Sequence, residues 1–253
     1  MNSNTISGPL LIGLFVTIFI VIAIVAANQQ KKRVAELTAL AERLNFTFLP
    51  SGIPLENSMD LFSFFGFSAP AVPNPYSAEF INFFPLFSNG SSRRILPAMV
   101  GSDSAGSNWF LFDYQYTVSS GKSSHTHHFS VVVVQAKLAF PTMSLAPENV
   151  GFSVGKFFGM RELQVESEEF NKRYFIKTAD EKMSLDLLHP VAIEALLKQP
   201  PYEWQMAGPF VMIHLDHHIS GSEYEGLMSC VQEFLNQVPT YYRQDYGATG
   251  AHH

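Results

Sequence analysis

Along the first thirty residues no side chain carries a charge, and positions 10–27 read LLIGLFVTIFIVIAIVAA, relieved only by Gly13 and Thr17. A helix that is apolar on every side has no aqueous face, so the pattern predicts a membrane span rather than a surface helix. At 1.5 Å per residue the run is about 27 Å long, and a start at Ile6 brings it to roughly 33 Å, the thickness of a hydrocarbon core. Lys31, Lys32 and Arg33 follow at once, whereas no basic residue precedes the run. The positive-inside rule then sets the N-terminus outside and the remainder of the chain in the cytoplasm. The competing reading is a cleaved export signal ending near Ala26 and Ala27, which lacks a basic start and has a long apolar stretch for that purpose.

Beyond the basic cluster the period changes. Val34, Leu37, Leu40, Ala41 and Leu44 recur at helical spacing, with Glu36, Glu42 and Arg43 on other faces, so residues 31–45 extend the helix as an amphipathic stalk. Next comes a stretch rich in Pro and Phe, where DLFSFFGF and EFINFFPLF flank SAPAVPNPYS, a loop that Pro70, Pro73 and Pro75 keep from being helical. The phenylalanines from Phe62 to Phe87 are expected to cover a core, with a second contact on the bilayer as the other reading.

Residues 109–118 and 125–138, set around Ser119-Ser120-Gly121-Lys122, predict a β-hairpin. With Ser120 and Gly121 as the turn, Phe110, Phe112, Tyr114 and Tyr116 oppose Val131, Phe129, His127 and His125 on one face, and Asp113 meets His128 on the other. Residues 163–166 and 174–177 are two further strand candidates. Thr178 with Glu181 predicts a capping box opening a helix that Pro190 stops, and Pro190 itself starts another through Lys198. Residues 202–207 and 210–219 read as a second hairpin around Gly208-Pro209. Ser222 with Glu225 opens a last helix, in which Tyr224, Leu227, Met228, Val231, Phe234, Leu235 and Val238 trace one face. Residues 240–253 have no period and are expected to form a flexible tail.

Hairpins with helices between and after them imply an α+β fold. Its expected plan is a membrane anchor over residues 1–30 (span about 6–27), the stalk 31–45, and a soluble domain 46–239. That domain is built on an antiparallel or mixed sheet, with the C-terminal amphipathic helix packed on it. Composition adjusts the picture in two places. A formal net charge of −6 argues against sequence-independent binding to nucleic acid. A single cysteine, Cys230, rules out an intrachain disulfide and a cysteine-based zinc site.

Clustered histidine is the most suggestive chemistry. His125, His127 and His128 lie on one predicted arm, and His214, His217 and His218 with Asp216 on another. Residues two apart on a strand point the same way, as ligands to one metal must. His214 and His218, however, are about 13 Å apart on a straight strand, too far to share an ion. A site for Zn²⁺ or another divalent transition metal therefore needs His125 and His127 to meet His214 and His218 across the two hairpins. Other signals are weaker. Gly121-Lys122-Ser123 lacks the first glycine of a phosphate-binding loop and precedes a strand. Glu166, Glu168 and Glu169, and Asp180 with Glu181, fall where solvated carboxylates or helix starts are expected. Cys230 has no basic partner at motif spacing. No catalytic or cofactor-binding residue is assigned.

With these elements placed, the chain resembles a family of uncharacterised, single-pass, membrane-anchored bacterial proteins. The resemblance rests on the anchor followed by FPLFSNGSSRRI, LFDYQYTVSSGK, FPTMSLAPEN with KFFG, and FNKRYFIKTADE. The proline-interrupted stretch before FPLF departs from it and reads as an insertion. The resemblance implies an inner-membrane location and carries no known activity. The function expected is that of a membrane-tethered cytoplasmic module, non-enzymatic, binding a protein partner or envelope component, with the lipid bilayer as its other contact. The alternative is a metal-binding or metal-dependent hydrolytic domain using the strand histidines.

Overall fold

A computed structural model describes residues 8–53, 55, 79–148 and 159–247, apart from the side chains of residues 8–15, 19 and 26. Residues 62–67 of the phenylalanine-rich stretch, its proline loop, residues 156–158 of KFFG and residues 248–253 lie outside the described residues. Helix α1 (Gly8–Leu44) is unbroken, having no proline after Pro9 and no glycine after Gly13 to interrupt it. Its end is a left-handed cap: Asn45 has φ of 56°, and the Phe46 N–H donates to Ala41 O at 2.8 Å. Val16, Ile18, Ile20, Val21, Ile22, Ile24 and Val25 are exposed, whereas Leu37, Leu40 and Ala41 are buried. Part of the apolar run falls among the side chains outside the description, and among the described residues no helix is long and apolar enough to cross a membrane.

Among the described residues seven strands form one sheet in which every pairing is antiparallel. They are β1 (Thr47–Leu49), β2 (Ser91–Ser102), β3 (Asn108–Ser120), β4 (Ser123–Pro147), β5 (Arg161–Leu163), β6 (Tyr174–Thr178) and β7 (Trp204–Leu215). The order is β1-β2-β3-β4-β6-β5, and β7 pairs with β4 along its other edge. The 25-residue β4 organises this arrangement, since its first half meets β3, its second half meets β6, and β7 runs beside both.

The β3–β4 hairpin forms, but two residues out of the expected register. Its loop is Gly121-Lys122, with Gly121 at φ 58°, a conformation that side chains with a Cβ resist. Asp113 therefore faces Ser130, His128 faces Gln115, Phe112 faces Val131 and Tyr116 faces His127. A shift of two leaves each side chain on its expected face, because strands alternate with period two. The second expected hairpin is corrected: β7 is one strand through Gly208-Pro209. Gly208, at φ 54°, lies opposite a register irregularity between Gln135 and Phe140, so the pair bends there instead of reversing.

Alternation divides the sheet into two apolar faces. One carries Trp109, Leu111, Val132, Val134, Val211 and Ile213, and is covered by the distal part of α1 and by the later helices. These are α2 (Glu168–Arg173), α3 (Glu181–Leu187), α4 (Pro190–Lys198), α5 (Gly221–Asn236) and α6 (Thr240–Tyr246). The other face carries Phe110, Phe112, Val131, Val133, Phe210 and Met212 under two short 3₁₀ turns, Glu79–Asn82 and Pro85–Ser88. There Phe80, Phe84 and Phe87 are buried, and the Phe80 ring lies 5.1 Å from that of Phe110 and 5.4 Å from that of Phe112. These three phenylalanines thus serve the core.

Three local expectations change. Asp180 rather than Thr178 caps α3, accepting from Met183 N at 3.0 Å, while the Thr178 hydroxyl turns inward to Ser184 Oγ. The capping box of α5 is Ser220 with Glu223, two residues before the expected pair. Where a tail was expected, α6 packs on β4: Tyr242 is fully buried and its hydroxyl donates to Ala139 O at 2.9 Å.

Candidate functional site

The most developed polar site lies where α1 meets the sheet. Alternation along β3 places Asp113 on the helix-covered face with Trp109 and Leu111. On α1, Arg33 precedes Leu37 by one turn and Leu40 by two, so the stripe that buries those leucines also aims the guanidinium inward. The pair is bidentate: Nε donates to Asp113 Oδ2 at 3.0 Å and Nη2 to Oδ1 at 2.9 Å. The remaining nitrogen, Nη1, donates to Ile219 O.

Other groups complete the shell. The Ser130 hydroxyl donates to Asp113 Oδ1 at 3.1 Å and accepts from Ile219 N at 3.1 Å. The Tyr224 hydroxyl lies 2.9 Å from both Asp113 Oδ1 and Phe112 O, and its ring sits 5.8 Å from the Arg33 guanidinium carbon. His218 brings Nδ1 to 3.3 Å from Asp113 Oδ2. Side-chain exposure is 4% for Asp113 and 13% for Arg33, so this is a desolvated pair rather than a surface one. Burial pushes the Asp113 carboxyl up, but hydrogen bonds from His218 and Arg33 and the guanidinium charge outweigh it and hold the carboxyl below its usual range. Burial likewise drives the Tyr224 hydroxyl well above its ordinary value, so it remains a donor.

Of the four histidines that a metal site would need together, His125, His127 and His214 lie on one face of the sheet and His218 on the other. His125 and His127 share the face of Phe129, with ring centroids 4.7 Å apart, and His127 stacks on Tyr116 at 4.9 Å. His214, opposite Val131, belongs to that same face but meets the edge of Phe129 at 5.7 Å. Its Nε2 lies 3.4 Å from Gln205 Nε2 and 3.7 Å from Glu203 Oε1, residues that the bend in β7 brings back to it. Burial lowers the His214 pKa. His218 is on the opposite face beside Asp113, 5.4 Å from the ring of His128. Among the described residues no group of three His, Cys, Asp or Glu side chains could hold a metal ion.

The remaining candidates serve structure. Cys230 is buried, its thiol donates to Gln199 Oε1 at 2.8 Å, and burial pushes its pKa up, away from thiolate chemistry. Glu168 pairs with Lys172 in α2 at 3.5 Å. A cleft of about 320 Å³ includes Lys137, Leu138, Leu235, Asn236 and Arg243 in its wall but no carboxylate, thiol or imidazole. The Arg33–Asp113 link was missed in the sequence, although Asp113 is the sole acid in a strand of aromatic and aliphatic residues and Arg33 is in phase with Leu37 and Leu40. Those two signals together could have found it.

No protein-family model matches the chain, and no curated protein matches it in sequence. Among solved structures it is similar to the crystal structure of the mycobacterial trehalose monomycolate transport factor A, TtfA. The TM-score is 0.54 and the identity 7%, over 80% of this chain and 92% of that one. At that identity the likeness is one of fold, an α+β chain with an N-terminal helix and a large antiparallel sheet.

Proposed function

We propose that this chain is a membrane-tethered, non-enzymatic module of the bacterial envelope, a member of the single-pass family its motifs resemble. In this reading α1 crosses the inner membrane with its N-terminus outside, and the sheet domain recognises a protein partner on the cytoplasmic side. The observation that carries it is the change of character along one unbroken helix. Val16, Ile18, Ile20, Val21, Ile22, Ile24 and Val25 present exposed apolar side chains, and eight residues after the last of them Arg33 is locked into Asp113. An apolar surface of that kind is costly in water and suited to lipid. Lys31 and Lys32 remain exposed to set orientation, because Arg33 alone of the basic cluster turns into the domain. The structural neighbour is named a transport factor, which agrees with an envelope-associated, non-enzymatic role.

Expression of the full chain with a C-terminal reporter tests the reading. Recovery in carbonate-washed membranes, with a reporter active in the cytoplasm and a periplasm-dependent reporter silent, is expected. A carbonate-soluble chain would remove the anchor, and periplasmic reporter activity would reverse the topology.

A further inference from the structure

We propose that the tip of the β3–β4 hairpin is a second membrane contact, seated among the headgroups of an anionic bilayer; this rests on α1 crossing that bilayer. The relative direction follows from two contacts. Phe46, just past the end of α1, packs against Gly101, whose strand partner is Trp109, while Arg33 bonds Asp113. Moving toward the N-terminus of α1 therefore runs the same way as moving along β3 from Trp109 to its turn. From Asp113 to Ser120 the strand advances about 23 Å. From Arg33 to Ala27, where the apolar run ends, α1 advances only about 9 Å. Even with about 45° between helix and strand, the hairpin still reaches roughly 16 Å along the helix axis. The tip thus reaches at least the level where the helix enters lipid, and an angle of about 65° between helix and strand seats it at that level.

Its chemistry suits that level. Residues 114–135 contain no carboxylate, and the tip offers Lys122, His125, the hydroxyls of Ser119, Ser120, Ser123 and Ser124, and a single exposed large hydrophobic, Val118. Such a surface is too polar for hydrocarbon and well supplied with donors for phosphate. Lys31, Lys32, Arg94 and Lys122 are all exposed toward this end and have no ion-pair partner among the described residues. Asp216, just past the end of the adjoining strand β7, has Oδ1 3.3 Å from Nδ1 of His217. A chain of net charge −6 therefore turns an acid-poor, basic end toward the bilayer, the asymmetry that anionic lipid selects.

The test uses the full chain carrying Cys230→Ser in lipid nanodiscs, either neutral phosphatidylcholine or about one-third phosphatidylglycerol. Ser120→Cys, Val21→Cys and Lys172→Cys each carry an environment-sensitive fluorophore, read by acrylamide quenching. In anionic discs the Ser120 probe is expected to be quenched about threefold less than the Lys172 probe, with Lys122→Glu abolishing most of that difference. Equal quenching at Ser120 and Lys172 with Val21 shielded would overturn the hairpin contact and leave the anchor standing. Full quenching at Val21 would instead overturn the anchor, and the hairpin contact with it. Shielding at Ser120 that is identical in neutral discs would overturn recognition of anionic lipid.

Discussion

Removing either member of the Arg33–Asp113 pair strands the other charge in a desolvated site, a loss of about 3–5 kcal/mol in comparable buried pairs. Arg33→Met and Asp113→Ala are each expected to lower the unfolding free energy of the detergent-solubilised chain by about 3 kcal/mol in urea titrations. The double variant Arg33→Met/Asp113→Leu should recover much of that, because no charge is stranded. Losses within about 0.5 kcal/mol for both single variants would put the pair in the class of surface bridges. The same carboxyl sets an acid limb. Its pKa is lowered by folding, so its stabilisation is complete above the unfolded value near 3.8 and is lost as pH falls through the lower folded value. His214 acts in an earlier window. Burial lowers its pKa below 6.5, so the unfolded chain takes up protons first and stability falls as pH drops from 6.5 toward the folded value. His128 contributes in the same sense. His214→Phe should therefore flatten the pH dependence of the melting temperature just below 6.5 while leaving the acid limb in place.

Among the elements, those whose signals are local were legible in the sequence. The stripe from Leu37 to Leu44, the existence of the β3–β4 hairpin and the start of α4 at Pro190 all depend on neighbours within a few residues. What depended on distant partners was hidden. Two adjacent glycine-containing turns could close the hairpin, and the choice of Gly121-Lys122 is fixed by pairing along the whole strand. Gly208-Pro209 has the composition of a turn, yet β4 supplies partners on both sides of it and keeps β7 continuous. Helix α6 is too short for a period to emerge, and Tyr242 is its buried anchor. Tyr242→Ala is accordingly expected to lower the unfolding free energy by about 3 kcal/mol, read by chemical denaturation. A frayed segment would show no change. The histidine arms were found as clusters, but which of them share a face depends on where β7 and the turn after it lie against β4, and that is a tertiary fact.

For the molecule as a whole, the distal half of α1 belongs to the folded domain. A chain beginning at Gln30 is expected to keep nearly the stability of the full one. A chain beginning at Asn45 uncovers the sheet face that Leu37, Leu40 and Ala41 bury and leaves Asp113 without its guanidinium, a loss above about 4 kcal/mol. Comparing the urea midpoints of the two truncated chains checks this. On the proposed topology, the absence of any hinge between span and docked segment has a geometric result. The domain has a fixed height above the bilayer and a fixed heading about the helix axis, so neighbours in the same membrane meet one side of it at one elevation. Inserting a single residue between Ala27 and Lys31 would swing that heading by about 100° and raise the domain only about 1.5 Å. Inserting seven would return the heading to within about 20° while raising it some 10 Å. Height and bearing can thus be dialled separately in the same short stretch of helix, and lateral recognition should respond to each on its own period.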